Sequence, residues 1–198
     1  MKEPVALCTV LHSRSVLAAR LGRMRYAVAM AVYLFTFHTY RSWMSDHRRG
    51  YVRRGSGIVA PSRGAAAAYA RRARFQRVML RDQECRVAVD AIARVCDHPA
   101  RADWHLHIAV AVFNHIHALV SWRHFAEVKH AQATLHRAIT VDLRDALGLP
   151  PGRPVLSRGG SHKRILTRPH FRHLLHTYLP AHAKFGGAIR WGTIKRTR

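Results

Sequence analysis

The segment 104–122, WHLHIAVAVFNHIHALVSW, constrains the fold most, because it is the densest run of apolar and β-branched residues in the chain. This composition favours β-strands. The Phe113-Asn114 pair near its middle is typical of a tight turn. The segment is therefore predicted to form a hairpin whose second strand begins at His115.

The second half of this hairpin carries a histidine pair, His115 and His117. Alternate side chains of a strand share a face, so both imidazoles project together while Ile116 faces the core. Two neutral imidazoles held side by side on a rigid strand form half of a divalent metal site. The chain has 16 histidines, and such a composition explains the same pair without a metal. The residues alone leave both interpretations open. His105 and His107 are predicted to be structural or to face DNA.

The charge of the chain restricts its partners. Its 34 Lys and Arg against 10 Asp and Glu give a formal net charge of +24, which favours a polyanionic partner and above all nucleic acid. The few acidic residues are scattered, whereas a two-metal nuclease needs clustered carboxylates. The sequence also lacks glycine-rich phosphate loops and zinc-finger spacing.

The apolar segments and the cysteines indicate the compartment. The apolar run near the N-terminus is too short to span a bilayer and is not typical of a secretory signal. Three cysteines, an odd number, favour reduced thiols. We expect a cytoplasmic, nucleoid-associated protein that makes no membrane contact.

The rest of the chain alternates between strand and helix patterns. A strand is predicted within 27–40 and a basic loop within 41–73, with one short Ala/Arg-rich helix. A helix follows, with Asp82 as its candidate N-cap and Pro99 closing it. After the hairpin, Phe125 to Leu143 recur at helical spacing.

The C-terminal third is predicted to hold a short strand and one more helix. The strand covers His162 to Leu166, and Thr167 can cap the following helix, which Pro180 should bend or end. The order strand, helix, strand, strand, helix, strand is the split βαβ pattern. The predicted fold is therefore α+β and ferredoxin-like, a four-stranded antiparallel sheet with helices on one face, plus a C-terminal helix.

Four blocks of the sequence, in order, resemble one protein family. NHIHALVSW, preceded by HIAVAVF, resembles the HUH signature of single-tyrosine transposases, the insertion-sequence and REP-associated tyrosine transposases. FTFHTYRSWMSDHRRGYV resembles the first strand and loop of that family, and LRDQECRVAVDAIARVCDH its first helix. SRGGSHKRIL and the Tyr-bearing helix after it resemble its last strand and nucleophile helix. The resemblance spans roughly residues 30–185.

The resemblance implies an activity and a site. Family members cleave and rejoin single-stranded DNA through a covalent 5′-phosphotyrosine. Here the nucleophile would be Tyr178 and the metal ligands His115, His117 and His182. The ion would be Mg²⁺ or Mn²⁺, and imidazole ligands suit Mn²⁺ better. The expected partners are single-stranded or hairpin DNA and, in a homodimer, a second copy of the chain.

The resemblance also sets the predicted domain boundaries. Residues 1–25 are predicted to be a basic extension, helical or disordered, or to result from a wrongly chosen start codon. Residues 26–185 are the transposase-like catalytic domain, and residues 186–198 are a basic tail. The residues predicted to guide DNA are all cationic: Arg41, Arg48, Arg49, Arg53, Arg54, Lys129, Arg137 and Lys163.

Two alternatives remain from the sequence. Tyr178 alone on an amphipathic helix is also typical of a residue at the edge of a core. Pro180, between Tyr178 and His182, could turn the third ligand away. Pro180 and the unusual imidazole at His182 motivate the alternative of a catalytically inactive nucleic-acid-binding module on the same fold. An RNA-binding protein fits less well, because the aromatic pattern of RNA-recognition strands is absent.

Overall fold

The computed structural model describes residues 30–53, 55–123, 127–184 and 186–193. Within these ranges, none of the helices combines the length and the apolar character that a membrane span requires. The predicted N-terminal extension and Phe125 lie outside the described residues. The described elements, in chain order, are β1 (Ala31–His38), β2 (Tyr51–Arg53), β3 (Gly57–Val59), α1 (Arg63–Arg72), α2 (Asp82–Asp97), β4 (His105–Val112), β5 (His115–Trp122), α3 (Val128–Ala146), β6 (Ser161–Ile165), α4 (Arg168–His173), a π-helical turn (Leu174–Tyr178), α5 (Leu179–Ala183) and β7 (Ala188–Trp191).

The main sheet is antiparallel throughout, in the order β6-β1-β5-β4-β7. The α+β class is confirmed, and β1, α2, β4, β5, α3 and β6 follow each other in the split βαβ order. The prediction of four strands was wrong, because β7 adds a fifth. This strand falls inside the segment predicted to be a tail.

Strand β7 forms because the edge of β4 offers unpaired backbone groups. It pairs with β4 along Ile108 to Ala111. Two glycines, Gly187 and Gly192, flank it where the chain comes against β4. A Cβ at Gly187 would lie 2.2 Å from the Ala111 carbonyl oxygen, and one at Gly192 would lie 1.6 Å from that of Leu106. Only glycine fits this approach at either end of the strand.

Several local predictions are confirmed. The hairpin turns at Phe113-Asn114, and β5 begins at His115. Thr167 caps α4, its side-chain oxygen accepting from the His170 N–H. The N-cap prediction for α2 was wrong by one residue, because Asp82 is already helical and Arg81 is the cap. The Glu84 carboxylate accepts from the Arg81 N–H at 2.8 Å, which closes the first turn from inside the helix. The predicted loop 41–73 contains the expected helix, α1, and also the β2–β3 ribbon.

The two faces of the sheet are covered by different helices. One face, here called the core face, packs against α2 and α3 and includes Phe35, Phe37, Ile116, Ala118 and Val120. The other face, here called the histidine face, packs against the C-terminal helix. Because strand side chains alternate, the register places the following residues on this face: Leu34, Thr36, Val110, His115, His117 and Leu119.

The C-terminal helix runs past Pro180 instead of ending there. The Leu179 N–H donates to the Leu174 carbonyl, five residues back, which makes a π-helical turn. In an α-helix, residues five apart point in directions about 140° apart. Here both leucines are buried against the histidine face, since the wider turn brings them to one side. The proline takes an early position in α5, where its missing N–H is tolerated.

Candidate metal centre

Three imidazoles meet on the histidine face. His115 and His117 project from β5, and their ring centroids are 4.8 Å apart. His182, on α5, brings its ring to 5.5 Å from His115 and 5.1 Å from His117. One nitrogen from each ring lies within 4.8 Å of the others. This group, called the triad below, could hold a metal ion.

Hydrogen bonds at Nδ1 set the protonation of two of these rings. His115 Nδ1 lies 2.6 Å from the Asn114 Oδ1, and His182 Nδ1 lies 2.9 Å from the Tyr178 carbonyl oxygen. Both oxygens are acceptors, so each Nδ1 carries the proton and donates. The lone pair on each Nε2 is then available to a metal. This is the usual arrangement of ligating histidines, whose second nitrogen is held by an outer partner.

The third ring, His117, is held in the same way. Its Nδ1 lies 2.9 Å from the Thr36 Oγ1 on β1, directly opposite in the register. The side chain is 6% exposed, so the imidazole has little freedom to rotate. A hydroxyl can accept from Nδ1, which leaves Nε2 free here as well. All three rings thus have a fixed orientation.

Burial keeps the two strand imidazoles of the triad, His115 and His117, neutral at neutral pH. It lowers the pKa of His117 to about 3, and repulsion from His115 and His182 adds to the effect. Burial also lowers the pKa of His115 to about 4, with His38 and His182 contributing. A protonated imidazole cannot bind a metal, so these shifts favour the ligand form.

The phenol of Tyr178 lies beside the triad. Its ring centroid is 4.5 Å from His182 and 6.0 Å from His117. The residue is 39% exposed, so it is open to solvent. Next to it is an apolar cavity of about 480 Å³ whose lining includes Phe113 and Thr177. Tyr178 and His182 lie on the same side of the C-terminal helix because the helix continues through Pro180. The expectation that this proline turns His182 away was wrong.

The predicted basic residues are distributed over both faces. Arg41 and Arg49 line a second cavity beside the triad, and Arg48 is exposed in the same loop. Lys163 lies opposite Leu34 and therefore on the histidine face. Lys129 and Arg137 are exposed on α3, which covers the core face. The Arg53 side chain and Arg54 lie outside the described residues.

Three residues next to the triad were not identified from the sequence: Thr36, Asn114 and His38. The sequence could have identified Asn114 as a partner of the triad, since it precedes His115 directly. Thr36 and His38 alternate along β1, but only the register shows that they oppose His117 and His115. The His38 ring lies 5.9 Å from His115 and 5.0 Å from Trp43.

His107 has a structural role, which is one of the two roles predicted for it. It is the extra residue where the register shifts between Leu106 and Ile108. Its Nε2 bonds to the Ser121 Oγ at 2.9 Å, and its ring packs edge-on against Phe171. Burial lowers its pKa to about 4. It is separate from the triad.

Comparisons with known proteins give little beyond this geometry. No family model matches the chain, and no curated protein does. Among solved structures, the chain is similar to a REP-associated tyrosine transposase bound to a REP hairpin, with 16% sequence identity and a TM-score of 0.41. The match covers 79% of this chain and 68% of that one. At this level the likeness does not establish the family, and the assignment of a function depends on the site itself.

Proposed function

We propose that this protein is a metal-dependent enzyme that nicks and rejoins single-stranded DNA through a covalent 5′-phosphotyrosine. Tyr178 is the nucleophile, and His115, His117 and His182 are the metal ligands. The substrate is single-stranded or hairpin DNA, as in DNA transposition or the processing of REP elements. The catalytic domain covers residues 26–185, and β7 extends its sheet.

One observation carries the proposal: a reachable phenol lies beside three oriented imidazoles, two of which burial keeps neutral. The ring of Tyr178 is 4.5 Å from His182, within the distance over which one phosphate can contact both a bound ion and an attacking hydroxyl. An all-nitrogen ligand set fits Mn²⁺ better than Mg²⁺. A divalent ion held there would polarise and orient the scissile phosphate.

The chemistry requires two displacements at phosphorus. The Tyr178 oxygen forms a bond to the scissile phosphorus while the bond from phosphorus to the 3′ oxygen breaks, and that oxygen leaves as a hydroxyl after taking a proton. The downstream strand then carries its 5′ phosphate on Tyr178. Attack by a DNA 3′-hydroxyl on this phosphorus releases the phenol and joins the strands. The energy of the broken bond is kept in the intermediate.

The charge distribution supports DNA as the substrate. The chain carries +24 overall, and Arg41, Arg48, Arg49 and Lys163 lie on or near the histidine face. We assign these residues to the strand at the site, and Arg53 and Arg54 to the same loop. Lys129 and Arg137, on the opposite side, would contact a longer or folded substrate. A homodimer stays a prediction.

The test is formation of a covalent adduct. End-labelled single-stranded and hairpin oligonucleotides are incubated with the wild-type chain and Mn²⁺, then run on denaturing gels. Wild type should shift the label, and Tyr178→Phe should give no shifted band while still binding DNA. The matched control, Tyr33→Phe, removes a hydroxyl from the core face and should retain the adduct.

Three outcomes would contradict the proposal. An adduct that persists in Tyr178→Phe removes this residue as the nucleophile. Cleavage that continues in excess chelator removes the metal site. DNA binding with no cleavage under any divalent ion would favour the inactive nucleic-acid-binding module.

A further inference from the structure

A second cavity lies beside the triad. It occupies about 690 Å³ between the loop after β1, the β2–β3 ribbon, α1 and the segment before β6. His38 forms part of its wall, and the His38 ring is 5.9 Å from that of His115. A strand with a phosphate at the triad therefore reaches this cavity with its neighbouring nucleotide.

Two walls of this cavity are formed by closely packed main chain. Gly50 and Gly160 both line the cavity and have φ of 79° and 101°. A Cβ at Gly50 would lie 2.3 Å from the Val59 carbonyl oxygen, and one at Gly160 would lie 2.7 Å from that of Thr36. Glycine is required at both positions. The shape of the cavity is thus fixed by main chain on two sides.

The lining combines flat aromatic rings with positive charge. Trp43, Tyr51 and Tyr69 supply the rings; Arg41, Arg49 and Arg158 supply the charge; and none of the described lining residues is acidic. The Trp43 ring is fixed, because its indole N–H donates to the Gly50 carbonyl at 3.3 Å. Aromatic platforms with arginines alongside are how proteins hold unstacked bases and their phosphates.

Two lining residues have polar atoms that the protein leaves unpaired. In the described part of the chain, His38 Nδ1 and Arg41 Nε are buried without a hydrogen-bond partner. Arg41 is also the one described non-glycine residue with positive φ, at 61°. Its Nη1 donates to the Phe75 carbonyl, and its guanidinium lies 5.8 Å from the centre of the Tyr69 ring. Unpaired polar groups and a strained backbone together are typical of ligand sites.

We propose that this cavity holds one unstacked nucleotide of the DNA strand, directly next to the phosphate that reacts at the triad. The base stacks on Tyr69 or Trp43, and the arginines contact its phosphate. Acceptor atoms of the nucleotide satisfy His38 and Arg41. The placement beside the reacting phosphate depends on the proposed function, whereas the binding of an unstacked nucleotide does not. A base paired in a duplex cannot enter, so the cavity selects single strands.

Photo-crosslinking tests the occupant directly. The probe is a single-stranded thymidine oligonucleotide with 5-iododeoxyuridine replacing part of the thymidine, and the protein carries Tyr178→Phe so that no cleavage occurs. After irradiation, crosslinked peptides are identified by mass spectrometry. Crosslinks at Trp43, Tyr51 or Tyr69 are the expected result. Crosslinks found only elsewhere, for example at the exposed Phe113 or Trp191, would overturn the proposal.

Affinity measurements give an independent readout. Tyr69→Ala, on the surface of α1, should weaken binding of the same oligonucleotide about tenfold, the size expected for loss of one stacked base. Tyr69→Phe keeps the ring and should bind like wild type. The matched control Trp191→Ala removes an aromatic ring of similar exposure on β7 and should also bind like wild type. Equal affinity of Tyr69→Ala and wild type would contradict stacking on that ring.

The two proposals fail in different ways. If wild type forms the metal-dependent adduct but no crosslink maps to the cavity, the nucleotide site is wrong and the proposed function stands. If the crosslinks and the Tyr69→Ala effect appear without any adduct, the nucleotide site stands and the proposed function is wrong.

Discussion

The two faces of one sheet differ in what they bury. The core face is almost wholly apolar, with Tyr33 stacked on Trp122 at 5.0 Å and Trp122 against Trp104 at 5.6 Å. The histidine face buries His117 and Ser121 among its leucines and valines. Buried polar groups need hydrogen-bond partners, because leaving one unpaired costs stability. The larger of the two apolar clusters lies on the core face, and the triad lies on the other face.

The largest effect should come from removing the most buried imidazole. His117→Ala takes away a central ligand and should abolish adduct formation and Mn²⁺ binding. The loss of free Mn²⁺ signal in electron paramagnetic resonance on adding protein measures binding. His162→Ala, an exposed imidazole on β6, is the matched control and should bind like wild type. Equal binding by His117→Ala would mean that the ion lies elsewhere.

A substitution on the core face should affect stability alone. Ile139→Ala, in the fully buried row of α3, should lower the free energy of unfolding by about 2–5 kcal/mol, because it leaves a cavity. Urea unfolding followed by circular dichroism measures this. The folded variant should bind Mn²⁺ as wild type does, and a weakened metal affinity would show that the two faces are coupled.

The partner of His117 should matter less than the ligand itself. Thr36→Val keeps the shape but removes the oxygen beside Nδ1, so the ring loses its fixed orientation. Loss of such outer partners weakens metal binding by about 10–100-fold. Calorimetric Mn²⁺ titration measures it. Thr140→Val on α3 is the control, since it changes the same group behind the core face.

Acid should lower the free energy of unfolding of the protein through a buried imidazole on the histidine face. An unfolded imidazole takes up its proton near pH 6.5, whereas folded His107 does so only near pH 4. Between these values the unfolded state binds more protons, so the free energy of unfolding falls as the pH is lowered, by on the order of 1 kcal/mol per pH unit for each such group. Urea unfolding in chelator at several pH values tests this. His107→Leu should make the slope shallower, and an unchanged slope would exclude this residue as a source.

Prediction from sequence succeeded where the signal is local. The turn at Phe113-Asn114, the start of β5 at His115 and the cap at Thr167 each depend on neighbouring residues. Strand β7 was not predicted, because AIRW is short and basic and forms a strand only through the edge of β4. The opposition of Thr36 to His117 depends on register, which one sequence does not specify. The histidine pair was singled out from its spacing on a strand, whereas Tyr178 and His182 came from the resemblance, and all four stay predictions of role.

The π-helical turn contains one residue more than an α-helical turn, and this extra residue sets the rotation of the part after it relative to the part before it. Leu174 anchors the part before it and Leu179 the part after it, both against the sheet. Winding this stretch as an ordinary α-helix, with every residue kept, would rotate the two parts by about 100° relative to each other. Either Leu174 would lose its contact with the sheet, or the Tyr178 phenol and the His182 imidazole would both point away from the histidine pair. The one extra residue in this turn thus sets the rotation at which the phenol and the third imidazole face the sheet.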